Sequence, residues 1–181
     1  MSNPIGVGLI GLGTVGSGVV ELLQDAPSSM RRRKHVDFAL KRVAVRDRAR
    51  PRAVAVDKAL LTAEAAEVVA DPAVQLVVEL TGAAPAYEWV SAALRQGKDV
   101  VTANKALLAE RGEELFELAL KNGADLMFEA SVAGGIPIIR AVQESLVGNR
   151  IHSITGIING TSNYILMRMT DAGLDYASAL G

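Results

Sequence analysis

Gly11, Gly13 and Gly16 form a G-x-G-x-x-G directly behind the apolar run Ile5–Ile10 and ahead of an amphipathic stretch from Val15 to Leu23. That spacing suits the holding of a pyrophosphate. The first glycine permits a tight turn, the second lets backbone approach the phosphates, and the third lets the next helix pack closely on the strand. The helix N-terminus adds unpaired N–H groups and a partial positive charge. Gly11, Gly13, Thr14, Val15 and Gly16 are therefore the candidate cofactor loop. Gly-rich turns also join strands to helices in proteins that bind nothing, so the motif takes its meaning from the elements around it.

Further chemistry is expected wherever a buried strand ends, because open parallel sheets bind ligands beyond the carboxyl ends of their strands. Arg46 and Asp47 end the second strand. An acidic residue there suits the ribose hydroxyls of NAD, whereas a guanidinium suits the 2′-phosphate of NADP. The surplus of nearby cations (Arg48, Arg50, Arg52, Lys58) tilts the reading toward NADP, although each of those later cations also fits a solvated loop. Thr81 and Gly82 follow the next strand, and Asn104 and Lys105 the one after it. An ammonium at Lys105 could bond a substrate carbonyl or a cofactor amide, and could titrate if desolvated. The competing reading is a surface lysine at a helix start, a placement that the helix dipole disfavours. Glu129 follows a further apolar strand. It is either a structural carboxylate capping N–H groups of the glycine-rich loop behind it, or a cation or substrate ligand. His35 and His152 lack ligand-spaced neighbours, and the basic run at residues 31–34 reads as a solvated loop.

These residues need a frame, and strand and helix patterns alternate to supply one. Strands are expected at residues 5–10, 38–45, 74–80, 99–102 and 126–128. Helices are expected at residues 15–25, 63–70, 85–96 and 109–122, with Gly97 and Gly123 closing the last two. Alternation with short connections indicates a doubly wound parallel sheet covered on both faces. Beyond residue 128 the character changes. Residues 134–146 read as a helix. Residues 151–158 alternate as a half-exposed strand of a second sheet. A helix follows over residues 160–169, capped by Thr161 or Ser162, and Tyr176–Leu180 begins another. The division expected is residues 1–135 for the nucleotide domain and 136–181 for the start of an α+β domain.

Composition narrows the class. The chain has 181 residues, 50% hydrophobic and 22% charged, which is ordinary for a globular protein. A formal net charge of −1 argues against a nucleic-acid surface. The absence of cysteine excludes disulfides, thiolate chemistry and Cys-based zinc sites. No apolar run approaches the ~20 residues of a membrane helix, and the N-terminus does not read as a signal peptide, so a cytoplasmic protein is expected.

Five runs together resemble homoserine dehydrogenase: GLGTVG at 11–16, VELTG at 78–82, VVTANK at 100–105, FEASVAGGIP at 128–137 and GIINGTSNY at 156–164. The likeness extends through almost the whole chain. It implies a Rossmann-type domain and NAD(P)-linked interconversion of L-aspartate 4-semialdehyde and L-homoserine, a step toward threonine, methionine and isoleucine. It implies that Val15, Arg46, Thr81 and Lys105 contact the nucleotide and that Lys105 faces the reacting carbon. It implies a monovalent cation, usually sodium, near Glu129, Val132, Gly134 and Ile136, held mostly by backbone carbonyls, a donor set that suits a hard ion. A homodimer is the family's usual assembly.

By the same resemblance, the family's substrate glutamate and its aspartate and lysine pair have no counterpart before Gly181. Three readings follow: an enzyme or its cofactor half, a nucleotide-binding module without turnover, or an incomplete product. The expectation is that the 181-residue chain binds NADP(H) with little dehydrogenase activity of its own.

Overall fold

The computed structural model describes residues 4–25, 36–157 and 159–181. The basic run at 31–34, His35 and Ile158 lie outside them.

Six strands form one sheet: β1 (Ile5–Ile10), β2 (Phe38–Ala44), β3 (Leu61–Thr62), β4 (Leu76–Glu79), β5 (Asp99–Thr102) and β6 (Leu126–Met127). Their order is β3-β2-β1-β4-β5-β6, and every neighbouring pair is parallel. From β1 the chain steps outward to β2 and β3, then crosses back to β4 on the other side. All carboxyl ends therefore share one edge, and the reversal between β1 and β4 opens a crevice there.

The helices are α1 (Thr14–Asp25), α2 (Ala65–Ala70), α3 (Ala86–Arg95), α4 (Lys105–Asn122), α5 (Ile138–Arg140), α6 (Gly160–Ala172) and α7 (Tyr176–Leu180). Two apolar clusters sandwich the sheet. One joins Val77 and Val100 to Val68, Val90, Leu94 and Leu115 of α2, α3 and α4. The other joins Val7, Leu9, Val43 and Val78 to Val20 of α1. Burial on both faces explains why these strands read as continuous apolar runs rather than as alternation.

The structure departs from the sequence reading at five places. β3 lies in the region expected to join a loop to a helix, since two residues carry no periodicity to recognise. Helix α4 begins at Lys105, a full turn before residue 109, because the Asn104 side chain accepts from Leu107 N at 3.1 Å and caps it. Residues 151–157 form no strand. Their alternation supplies a face but no neighbouring ladder among the described residues, and Ile154 and Ile157 are exposed. Asn159, not Thr161 or Ser162, caps α6 by accepting from Ser162 N at 2.8 Å. The helix expected over residues 134–146 is present as α5 followed by a wider, π-type turn at Ala141–Ser145.

The chain divides into two compact units, Met1–Ile139 and Arg140–Gly181. The first holds the sheet. In the second, α7 folds back on α6 and Ala179 is buried.

Candidate functional site

The turn behind β1 has the shape that its glycines foretell. Gly11 has φ +100°, and its N–H donates to Ala44 O at 3.0 Å. A side chain at Gly16 would place its Cβ 2.2 Å from Gly11 O, so only glycine lets α1 start so close to the strand end. Gly13 is the reverse: a Cβ there would meet nothing within 4 Å. The turn thus presents bare backbone to open space at the switch point. The first-turn N–H groups of α1 have no intrahelical partner. Val15 is 60% exposed beside them. This is a cradle that fits a pyrophosphate.

The neighbouring strand ends bring the other expected residues to the same sheet edge. Behind β2, Arg46 is exposed and makes no hydrogen bond or ion pair among the described residues. Asp47 is engaged locally, accepting from Ala49 N at 2.8 Å, and Arg52 folds back onto the carbonyls of Asp47 and Arg50. Of the charged groups in this loop, Arg46 is the one set at the strand end with its guanidinium uncommitted. Behind β4, Gly82 turns the chain with φ +61°, and Thr81 is exposed. Behind β5, Lys105 is the first residue of α4. Its side chain is exposed rather than desolvated, and it has no ion-pair partner among the described residues.

Sequence reasoning missed the residue that ties these loops together. Glu79, at the end of β4, has no exposed surface. Its Oε1 accepts from Thr81 N at 2.7 Å and from Thr81 Oγ1 at 2.6 Å. Its Oε2 accepts from Thr102 Oγ1 at 2.9 Å, its direct neighbour in register on β5. Thr102 Oγ1 in turn accepts from Asn104 N at 3.1 Å, while Thr102 O accepts from Ser131 Oγ at 2.9 Å. A fully buried carboxylate is costly unless its oxygens are bonded, and here both are. The available signal was an acidic residue inside an otherwise apolar strand, with threonine two positions on.

The loop behind β6 is a succession of turns. Glu129–Ser131 is a 3-10 turn, and Ile136 N donates to Ala133 O at 2.8 Å. Ala133 has φ +45°, a conformation that non-glycine residues seldom adopt. Glu129 Oε1 accepts from Ile139 N at 2.9 Å, near the start of α5. Val132, Gly134 and Ile136 are exposed in the same loop. No group of three or more His, Cys, Asp or Glu side chains that could hold a metal occurs among the described residues. A cation here would rely on backbone oxygens together with the one carboxylate.

Residues 11–129, which hold the glycine turn and every strand after β1, match the family model described as the NAD binding domain of homoserine dehydrogenase. Residues 137–181 match a second family model, described as homoserine dehydrogenase. The chain belongs to the homoserine dehydrogenase family. It is 46% identical over 175 residues to the homoserine dehydrogenase of Synechocystis and 45% identical over 177 residues to that of Bacillus subtilis. These alignments cover 96% and 97% of this chain but 40% and 41% of the relatives. The chain thus spans about two fifths of the length of these homoserine dehydrogenases. Among solved structures, the Thiobacillus denitrificans homoserine dehydrogenase superposes with a TM-score of 0.84 at 46% identity, covering 98% of this chain and 41% of that one. A hyperthermophilic archaeal homoserine dehydrogenase mutant, solved in complex with NADPH, superposes with a TM-score of 0.78 at 25% identity, covering 98% of this chain and 60% of that one.

Proposed function

We propose that this chain supplies the NADP(H)-binding part of a homoserine dehydrogenase, which interconverts L-aspartate 4-semialdehyde and L-homoserine. The observation that carries the reading is the turn from Gly11 to Gly16, with its open face at Gly13 and its close approach at Gly16, set at the switch point of the sheet. In this reading Gly11, Gly13, Thr14, Val15 and Gly16 hold the pyrophosphate, and Arg46 pairs with the 2′-phosphate. Thr81, Gly82 and Lys105 border the nicotinamide half. The nucleotide supplies hydride exchange at a carbonyl carbon when bound. Lys105, an exposed ammonium on the crevice edge, would orient the substrate carbonyl and stabilise negative charge that develops on its oxygen.

The same proposal includes a monovalent cation, sodium by preference, at Glu129, Val132, Gly134 and Ile136. The support is a hard oxygen set in a tightly turned loop. It assigns the first unit to nucleotide binding and the second to the start of the substrate and dimerisation domain, within a homodimer and a cytoplasmic setting. Among the described residues no helix is long and apolar enough to cross a membrane.

Titration with NADPH, followed by nucleotide fluorescence, tests the core of this proposal. Arg46→Ala should weaken NADP(H) by about tenfold or more, the loss carried by a charge-assisted hydrogen bond, and change NAD(H) little. Equal loss for both coenzymes rejects the 2′-phosphate role, and absence of NADPH binding by the unsubstituted chain rejects the whole reading.

A further inference from the structure

The hydrogen bonds around Glu79 reach every loop on the nicotinamide side of the crevice. Glu79 holds the backbone and hydroxyl of Thr81 behind β4. Through Thr102 it holds Asn104 N behind β5, and Asn104 Oδ1 receives Leu107 N, which fixes the first turn of α4 and with it Lys105. Thr102 O receives the hydroxyl of Ser131, the last residue of the turn that begins at Glu129. Thr102, Asn104 and Ser131 are themselves buried. Burial removes water as a substitute partner, so each of these bonds has a required geometry. Among the described residues no hydrogen bond links the Arg46 loop to Glu79 or Thr102: Asp47 and Arg52 bond within the loop, and Ala55 O accepts from Gln24 Nε2 of α1.

We propose that Glu79 and Thr102 are positioning residues that hold the loops behind β4, β5 and β6 in one fixed arrangement, so that Thr81, Lys105 and the Glu129 turn meet the nicotinamide half of the dinucleotide as a unit. The proposal rests on the nucleotide reading above and adds a division of labour within it. The adenosine half is gripped by the glycine turn and Arg46, which make no hydrogen bond to the buried carboxylate. The nicotinamide half is gripped by groups that do. The chemistry of the linkage also explains its residue types. A carboxylate with both oxygens accepting can serve two strand ends at once. A threonine can donate to it and still accept from the next loop.

Calorimetric titration of the full chain with NADPH and, separately, with 2′,5′-ADP, which lacks the nicotinamide half, tests this division. Thr102→Val keeps the side-chain shape and removes the hydroxyl. It should weaken NADPH by about tenfold, the effect of losing one to two buried hydrogen bonds, while 2′,5′-ADP stays within about twofold. Thr102→Ser, which restores the hydroxyl, should recover NADPH affinity. Glu79→Gln gives an independent arm that leaves Thr102 intact, and it should show the same selective loss. Equal weakening of both probes, or failure of serine to rescue while valine fails, overturns the proposal as a merely structural effect. Unchanged NADPH binding in both Thr102→Val and Glu79→Gln overturns it directly. If the unsubstituted chain binds 2′,5′-ADP and NADPH equally well, the nicotinamide loops contribute nothing and the proposal falls, while the nucleotide reading stands.

Discussion

Gly13 and Gly16 share one turn, yet a methyl group at each should have a different consequence. At Gly16 it would collide with Gly11 O, a backbone atom that moves only if the strand end or α1 moves. Gly16→Ala is expected to cost about 1–3 kcal/mol in chemical denaturation, the range of overpacked sites. At Gly13 it would project into open space. Gly13→Ala should stay within about 0.5 kcal/mol of the parent in stability, yet weaken NADPH measurably by fluorescence titration if, as proposed, the phosphates fill that space. The two lysines that border the sheet make a similar contrast. Lys98 is buried, and its Nζ donates to Val69 O at 2.6 Å and Asp71 O at 2.7 Å. Burial lowers its pKa, against a smaller raising effect of Asp71. Lys105 is exposed at the crevice edge. Sequence position separates them, since one precedes β5 and the other follows it. The shape of the glycine turn and the place of Lys105 behind β5 were legible because local spacing alone defines them. Glu79 was not, because its meaning depends on Thr102, a partner that only the folded sheet brings alongside.

At the scale of elements, legibility followed length and local chemistry. β1, α1 and β5 carry apolar runs or glycine punctuation and were readable. β3 has two residues and pairs only because Val43 and Ala44 lie beside it. The alternating stretch at 151–157 had a strand's pattern without a strand's partners. Helix α4 was read a turn short because its leading lysine opposes the dipole, while the decisive signal was the cap beside it. Asn104→Ala should accordingly cost about 1 kcal/mol of stability, read as a lower urea midpoint. Helices α3 and α4 are also joined by side chains. The Tyr87 hydroxyl donates to Glu114, Arg111 donates to the other Glu114 oxygen at 2.6 Å, and the Arg111 guanidinium lies 3.9 Å from the Tyr87 ring centre. The Tyr87 hydroxyl, followed by Arg111, lowers the Glu114 pKa below its usual 4.5. A lowered carboxylate pKa contributes stability above the ordinary value and loses it as pH falls through the folded value. The urea midpoint should therefore decline from about pH 5 downward, and Tyr87→Phe should flatten part of that decline. An unchanged slope in Tyr87→Phe would remove the pair from the account of acid stability.

Across the whole molecule, the sheet order makes the crevice, and the buried carboxylate links the strand ends of β4 and β5 beside it. The sequence disclosed the first, because alternating strands and helices admit few topologies. It disclosed nothing of the second. The acceptors that hold Thr81 N, Asn104 N and Leu107 N are side-chain oxygens of one connected set. Amide protons in surface loops ordinarily exchange with solvent quickly, through small local openings. Here Thr102 joins partners 23 and 29 residues away in sequence. Releasing any one of these protons requires disturbing the same buried cluster. Hydrogen–deuterium exchange should therefore find them slow and grouped, with a shared opening free energy that Thr102→Val lowers for all of them together. Loops distant in sequence would then keep a common clock.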